Sequence, residues 1–224
     1  MSQQRRPHWI TLVEACALVL FTALVARLAV RLSRVLVQPA DWVTVAAALP
    51  LGFVLADFFS GLVHWFFDTF LEEDSALGRI FVAPFREHHR DPMALTRHGF
   101  LELNGNSCLV MLPLLGRTEW RGPQYSPFAA AILLFLALGI LATNQIHAWA
   151  HAPTTPRVIR WLQRRRLVLA PWIHEFHHRP GADGSYCVTL GWLNPPLDKL
   201  RFFRACGRLL EALGLPRGAS GDSR

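Results

Sequence analysis

Long apolar runs separated by arginine-rich polar segments dominate this sequence and predict membrane-spanning helices. About 20 residues of helix cross the hydrocarbon core of a bilayer. Four segments approach or exceed that length, and the third carries Glu102, Asn104 and Asn106 near its start. The four are Ile10 to about Val30, Val43 to about Phe67, about Phe100 to Leu115, and Pro127 to about Trp149. The pattern predicts an all-α, multi-pass bundle of about four transmembrane helices.

Polar stretches between and after these runs predict surface structure. Gly116 to Pro127 is rich in turn-forming residues and predicts a tight hairpin between the third and fourth spans. Pro156 to Val168 sets apolar residues against arginines at helical spacing, which indicates a basic helix lying along the membrane surface. The last residues, Pro216 to Arg224, have the composition of a disordered tail.

Composition agrees with a membrane protein. Of 224 residues, 52% are hydrophobic and 17% are charged, whereas a typical soluble domain carries about 25% charged residues. The length favours one domain over residues 1–224. Four cysteines lie far apart without a CxxC pair and are expected to be reduced packing residues. The net charge of +7 comes from arginines that flank apolar runs, which favours lipid headgroups over nucleic acid as the partner.

The distribution of positive charge predicts the orientation of the spans. An N-terminus on the inner side and four spans leave all but five of the 23 lysines and arginines inside, as the positive-inside rule requires. The five outside are Arg27, Arg31, Arg34, Arg117 and Arg121. Lys199 is the single lysine, and this bias towards arginine indicates a GC-rich bacterial genome. We therefore expect a bacterial inner-membrane protein whose polar segments face the cytoplasm.

Nine of the ten histidines fall into clusters. The predicted topology brings all nine to the inner side of the membrane, although the topology was assigned from charge alone. They are His64, His88, His89, His98, His147, His151, His174, His177 and His178. Imidazole is a good ligand for iron, zinc and copper. The clustering therefore predicts a metal centre at the inner membrane face, and only His8 stays outside it.

The number of histidines favours two metal ions. A catalytic zinc ion takes three protein ligands and a structural one four, so nine imidazoles are too many for one zinc. Two iron ions with positions left open for dioxygen account for the number. Two alternatives remain open: a non-enzymatic membrane haem or metal protein with His147 and His151 as axial ligands, and a zinc-dependent membrane hydrolase, although the chain lacks an HExxH motif.

Carboxylates and amides near these histidines are candidates for supporting roles. Asp57, His64 and Asp68 share one face of the second predicted span, where ionisable groups usually indicate function. We expect Asp57 and Asp68 to accept ring N–H groups from metal-bound imidazoles, with Asp68 also a candidate ligand. An N–H or arginine partner inside the bundle is the alternative for Asp57. Asn104 and Asn144 are candidates to hold a metal-bound water, or are buried, hydrogen-bonded amides.

Five strings, taken together, resemble the plasmanylethanolamine desaturase family over about residues 56–200. They are ADFFSGLVHWFFDTF (Ala56 to Phe70), FREHHRDPMALTRHGFLELNGNSC (Phe85 to Cys108), NQIHAWAH (Asn144 to His151), IHEFHH (Ile173 to His178) and GWLNPPLDKL (Gly191 to Leu200). The resemblance implies that all nine clustered histidines are ligands of two non-haem irons. It also implies that dioxygen and two external electrons convert the 1-O-alkyl chain of plasmanylethanolamine into the vinyl ether of a plasmalogen.

The resemblance leaves the substrate open, because a plastid branch of the family desaturates the acyl chain of phosphatidylglycerol with the same ligands. A di-iron lipid hydroxylase is a further alternative. The sequence shows no motif of an electron-transfer domain, so a partner such as a cytochrome b5 or a ferredoxin is expected. Arg86, Arg90 and Arg97 are candidates to contact the phosphate of the lipid headgroup.

Overall fold

Helices form the regular secondary structure of this computed structural model, which describes residues 7–75, 78–121 and 125–218. Within those ranges no strand occurs, and an isolated antiparallel bridge pairs Phe70 with Arg217. The helices are α1 (His8–Val35), α2 (Pro39–Thr69), α3 (Ala83–Arg90), α4 (Ala94–Arg97), α5 (Phe100–Arg121), α6 (Pro127–His151), α7 (Arg157–Arg164), α8 (Pro171–His177), α9 (Asn194–Lys199) and α10 (Phe202–Ala212), with a π-helical turn at Gly78–Val82. The prediction of an all-α fold is confirmed.

Three helices are long and apolar enough to cross a membrane: α1, α2 and α6, with 28, 31 and 25 residues. They correspond to the first, second and fourth predicted spans. The predicted third span lies in α5, a helix of 22 residues that is not among these three. Its early turns carry polar residues, Asn104 among them, so a fourth span stays a prediction.

The predicted hairpin from Gly116 begins too early. Helix α5 continues through Gly116 to Arg121, because its last turns are held by contacts with α1. The carboxylate of Glu119 lies 2.9 Å from Nη2 of Arg27 and 2.9 Å from Nη2 of Arg31. The rest of the predicted hairpin includes residues 122–124, which lie outside the described residues.

The first positions of the predicted disordered tail make backbone contacts, and disorder of the tail stays a prediction. The backbone N–H of Gly218 donates to the carbonyl of Thr69 at 3.1 Å, and Arg217 forms the bridge with Phe70. These backbone bonds hold the chain at the end of α2. Residues 219–224 of the predicted tail lie outside the described residues.

The chain forms two compact units: Met1–Ala56 with His98–Gln145, and Asp57–Arg97 with Ile146–Arg224. In the first, α1 and α5 run parallel, because Glu14 lies against Gly105 and Arg31 pairs with Glu119. In the second, an aromatic core includes Trp65, Phe70 and Phe203. The prediction of one domain over residues 1–224 stays a prediction.

The predicted surface helix is present in shortened form as α7. Its apolar residues Val158 and Trp161 are 62% and 46% exposed, while Gln163 is buried and donates to the carbonyl of Trp149. Exposed apolar and arginine side chains on one short helix are typical of an interfacial position.

Candidate metal centre

Eight histidines and one aspartate of the second unit gather into two groups of facing donor atoms. Within each group the donor atoms lie within 4.8 Å of one another. The five-histidine group consists of His88, His147, His151, His174 and His178. The aspartate group consists of His64, Asp68, His89 and His177. All nine of these residues are predicted from the sequence as site residues.

Helical spacing decides which group each residue joins. Residues four apart on an α-helix share a face, and every such pair enters the same group. The pairs are His147 with His151, His174 with His178, and His64 with Asp68. A turn of helix is therefore the local device that presents two donors to one position.

Adjacent histidines join different groups. Successive residues on a helix point about 100° apart, and both adjacent pairs are divided between the groups. His88 and His178 join the five-histidine group, whereas His89 and His177 join the aspartate group. The rings of His89 and His178 nevertheless lie 4.6 Å apart. The two groups thus adjoin, which is the arrangement that a binuclear centre needs.

The five-histidine group converges on Nε2 of His174. That atom lies 2.7 Å from Nε2 of His147, 3.0 Å from Nε2 of His151 and 3.0 Å from Nε2 of His178. The ring of His88 closes the group, 4.7 Å from the ring of His147. His88, His147 and His174 are buried, and His151 and His178 are partly exposed.

The aspartate group converges on Oδ2 of Asp68. That oxygen lies 3.0 Å from Nε2 of His89, 3.3 Å from Nε2 of His177 and 3.4 Å from Nε2 of His64. The side chains of Asp68, His64 and His177 are fully buried, and that of His89 is 18% exposed. Three imidazoles and one carboxylate therefore face a single enclosed point.

The donor set fits bound metal ions. A neutral imidazole has one N–H and one lone pair, so Nε2 of His174 cannot satisfy three neighbouring Nε2 atoms by hydrogen bonding. Both ring nitrogens of His88 are buried and lack a hydrogen-bond partner among the described residues. A buried polar atom without a partner is costly, and a metal ion among these nitrogens would remove that cost.

Burial also keeps these imidazoles in the form that binds metal. Desolvation holds the pKa of His88 and of His174 well below its usual range. Desolvation, followed by repulsion from neighbouring histidines, lowers the pKa of His178 to about 2. A lowered pKa leaves these rings neutral at pH 7, and the neutral ring carries the lone pair that a metal accepts.

Two histidines of the aspartate group are oriented by backbone carbonyls. Nδ1 of His64 lies 3.1 Å from the carbonyl oxygen of Tyr186, and Nδ1 of His177 lies 2.9 Å from that of Gly184. Because a carbonyl only accepts, Nδ1 must carry the proton in both rings. Nε2 is therefore the lone-pair atom that faces Asp68. Neither contact is predictable from the sequence, since a backbone acceptor has no signature in residue type.

Asp57 does not hold a histidine. Its two carboxylate oxygens accept backbone N–H groups from residues 189–193, so the prediction of an imidazole partner is wrong and the alternative of an N–H partner is confirmed. Asp57 does not reach the ring of His64 because it lies two turns before His64 on α2.

The guanidinium of Arg86 forms hydrogen bonds within the protein. Its side chain is buried, and its guanidinium donates to the carbonyls of Phe67, Phe70 and Leu71 at 3.2, 3.1 and 2.9 Å. These bonds satisfy carbonyls left open at the end of α2, in place of the predicted headgroup contact.

Arg90 and Arg97 are exposed and remain candidates for a headgroup. Nη2 of Arg90 lies 3.0 Å from the carboxylate of Glu73, and Arg97 pairs with Asp91. Ion pairs at the surface are weak, so a lipid phosphate could compete for both arginines.

Three predicted residues belong to the first unit and to neither donor group. Nδ1 of His98 lies 2.9 Å from Oε2 of Glu102. Asn104 is buried and donates to the carbonyl of Phe100 at 2.9 Å. Asn144 donates to the carbonyl of Leu103 at 2.6 Å. Roles for His98, Asn104 and Asn144 at a metal centre stay predictions.

Comparison with known proteins gives a family and named relatives. The sequence profile of the lipid desaturase domain matches residues 53–217. Plasmanylethanolamine desaturase of Myxococcus xanthus is 40% identical over 208 residues, which cover 91% of this chain and 73% of that protein. Plasmanylethanolamine desaturase 1 of Mus musculus is 37% identical over 210 residues, covering 89% of this chain and 77% of that protein.

A plant relative is more distant. Fatty acid desaturase 4 of Arabidopsis thaliana, described as chloroplastic, is 30% identical over 160 residues, covering 69% of this chain and 48% of that protein. No solved structure matches the chain.

Proposed function

The chain belongs to the lipid desaturase domain family, and on that premise we propose that it converts the 1-O-alkyl chain of plasmanylethanolamine into the 1-alkenyl chain of a plasmalogen. The family makes it an oxidoreductase acting on lipids. Two relatives that cover about nine tenths of the chain carry the name plasmanylethanolamine desaturase, and these names support the choice of substrate.

The observation that carries the proposal is the pair of adjoining donor groups. We propose that the five-histidine group and the aspartate group each hold one non-haem iron. Iron and dioxygen together supply the oxidising power that removal of hydrogen from an unactivated alkyl chain requires. Imidazole and carboxylate are suitable ligands for iron, and the short distances between the groups support a shared centre.

The proposed reaction balances with one external donor. One hydrogen leaves each of the first two carbons of the alkyl chain, and a C=C bond forms between them. The two hydrogens supply two electrons and two protons to dioxygen. A donor supplies two further electrons and water supplies two further protons, so that dioxygen leaves as two water molecules. A cytochrome b5 or a ferredoxin is the proposed class of donor, attracted by the net charge of +7.

The residues of the chain have defined tasks in this proposal. Neutral imidazoles offer their lone pairs, and the carbonyls of Gly184 and Tyr186 keep Nε2 of His177 and His64 turned inward. The carboxylate of Asp68 adds a negative charge to one side of the centre. Enclosure of the aspartate group excludes water, which protects a strongly oxidising site from side reactions.

The proposed membrane topology has four spans, with α5 as the third. In such a topology the first and third spans run in the same direction, and α1 and α5 do run parallel. Their contacts extend from Glu14 beside Gly105 to Arg31 beside Glu119, which is about 25 Å of helix. We propose a bacterial inner membrane with the metal centre on the cytoplasmic side, in agreement with the distribution of arginine.

A phospholipid acyl chain is a second candidate substrate, because the name of one relative supports it. The Arabidopsis protein is named a fatty acid desaturase, so an acyl chain of a phospholipid such as phosphatidylglycerol is the alternative. Chemical analysis of the product separates the two, because a vinyl ether is cleaved by acid and releases an aldehyde whereas an acyl-chain double bond is stable.

The test is expression of the full chain in cells that lack plasmalogens and are fed 1-O-alkylglycerol. Lipid mass spectrometry should show a loss of two hydrogens in the ether lipid and an acid-labile product. The His147→Ala chain, expressed to the same level, is the matched control and should give none. A new double bond in an acyl chain would support the alternative, and a hydroxylated lipid would contradict desaturation.

A further inference from the structure

Residues 184–193 form an irregular segment that we call the strap. Residues 184–191 are all buried, although the strap belongs to no helix. Buried backbone outside regular structure needs other partners for its N–H groups. Ser185 and Gly191, with φ of 58° and 72°, lie in the left-handed region, so regular pairing is interrupted at both ends. Side chains supply the missing partners.

Asp57 fixes the C-terminal half of the strap. Its Oδ1 accepts N–H groups from Thr189, Leu190 and Gly191 at 3.2, 2.7 and 2.9 Å, and its Oδ2 accepts from Leu193 at 3.1 Å. Hydrogen bonds to a charged acceptor are about twice as strong as neutral ones. One carboxylate therefore fixes four backbone N–H groups within residues 189–193.

The strap then runs antiparallel to α2. The hydroxyl of Ser60 accepts from the N–H of Val188 at 3.1 Å. A Cβ added at Gly61 would lie 2.5 Å from Sγ of Cys187, so the strap lies directly on the helix there. His64, one turn further along α2, meets the carbonyl of Tyr186. The register is therefore continuous from Asp57 to His64.

Helix α9 secures the other side. The carboxylate of Asp198 accepts from the N–H of Ser185 at 3.1 Å and from its hydroxyl at 3.1 Å. The amide of Asn194 bonds both the N–H and the carbonyl of Cys187, at 2.8 and 2.9 Å. The strap is thus held along its length by side chains from α2 and α9.

The strap contacts the histidines of one donor group, the aspartate group. The two strap carbonyls that contact histidines belong to Gly184 and Tyr186, and their partners, His177 and His64, are both members of the aspartate group. The five-histidine group has no such contact with the strap among the described residues. A shift of the strap would therefore release two of four donors in one group.

We propose that the strap, fixed by Asp57, is a positioning device for the aspartate group alone, and that Asp57 is a positioning residue for one of two metal sites. This inference rests on the proposed function in that both groups are taken to bind metal. Loss of a partner that orients a ligand typically lowers metal affinity about 10–100-fold. We expect that loss at one site.

The test is a titration of the metal-free full chain in nanodiscs with cobalt(II), followed by its visible absorption. The wild-type chain should bind about two ions in two steps. Asp57→Ala should weaken one step about 10–100-fold and leave the other within about threefold. Asp57→Asn keeps an oxygen for the three N–H groups at Oδ1. Its affinity at the weakened step should therefore lie between those of the wild type and Asp57→Ala. Nitrogen NMR of the metal-free chain should show a mixed tautomer at His64 and His177 in Asp57→Ala.

Controls separate positioning from general damage. Asp41 accepts N–H groups of Val37 and Gln38 at the start of α2, and Asp41→Asn should leave both steps unchanged. If Asp57→Ala is not recovered in folded form, Gly61→Ala displaces the strap through Cys187 and should give the same one-site loss. Equal weakening of both steps, or none, would overturn the inference. A wild-type chain that binds no cobalt would instead refute the proposed function.

Discussion

The five-histidine group and the aspartate group adjoin in one unit but are built differently. The first consists only of imidazoles, and two of its members, His151 and His178, are partly exposed. The second contains a carboxylate, is enclosed, and is fixed by backbone carbonyls. An ionised Asp68 gives the second group a negative charge that the first lacks. The two groups thus differ in charge and in the exposure of their members.

This difference suggests unequal duties for two metal ions. The enclosed and negatively charged position should hold its ion more tightly, because a carboxylate attracts a divalent cation and burial reduces screening. The five-histidine group, with two partly exposed members, should be the more accessible of the two to small molecules. Substitution of single members can show whether the groups are distinct and whether both are needed.

Removal of one histidine from either group should have the largest effect. His174→Ala removes the nitrogen on which the five-histidine group converges, and His177→Ala removes a donor of the aspartate group. Both should abolish measurable desaturation and reduce bound iron from about two to about one per chain, measured by lipid mass spectrometry and metal analysis. His8→Ala should match the wild type.

The release rate of the iron that remains in each of these two variants tests whether the groups differ in affinity. The iron that remains in His177→Ala should be lost to chelators faster than the one that remains in His174→Ala. Identical release rates would mean that the groups are equivalent. A Soret absorption band in the wild-type chain would contradict both and favour a haem protein.

Asp68→Asn tests the charge of the aspartate group. The amide keeps an oxygen near the three Nε2 atoms but removes the negative charge, so the metal affinity of that group should fall about 10–100-fold. Activity at limiting iron should fall with it and recover in part at high iron. Asp91→Asn, which removes an exposed carboxylate paired with Arg97, is the control. Unchanged affinity in Asp68→Asn would exclude a ligand role.

Spacing made most of this centre predictable, and packing decided the rest. Pairs four apart, such as His147 with His151, place both members in one group because helix geometry requires it. The division of His177 from His178 follows from the same geometry once two groups are known. The strap carbonyls were not predictable, and an N–H partner of Asp57 was predicted only as an alternative, because backbone acceptors and donors do not depend on residue type. The third predicted helix was expected to end near Leu115 rather than at Arg121, because the contacts of Glu119 with α1 depend on packing.

His98→Ala should have a smaller effect than removal of a group member. His98 contacts Glu102 and joins neither group, so we expect two irons to be retained and activity to fall about tenfold or less. Metal analysis and turnover of alkyl lipid measure both. A loss of iron would instead establish His98 as the ninth histidine ligand, the role that its place in the motif predicts.

Arg86→Gln should have the smallest effect on chemistry and a clear effect on stability. Arg86 binds three carbonyls at the end of α2, the helix that carries Asp68, so its loss should cost about 1–3 kcal/mol of folding free energy. The melting temperature should fall, while the KM for the ether lipid stays near that of the wild type. Arg90→Gln, which removes an exposed arginine paired with Glu73, should show the reverse if Arg90 meets the headgroup. A raised KM with an unchanged melting temperature in Arg86→Gln would restore the headgroup role that the sequence indicated, and would mean that the end of α2 is held by other contacts.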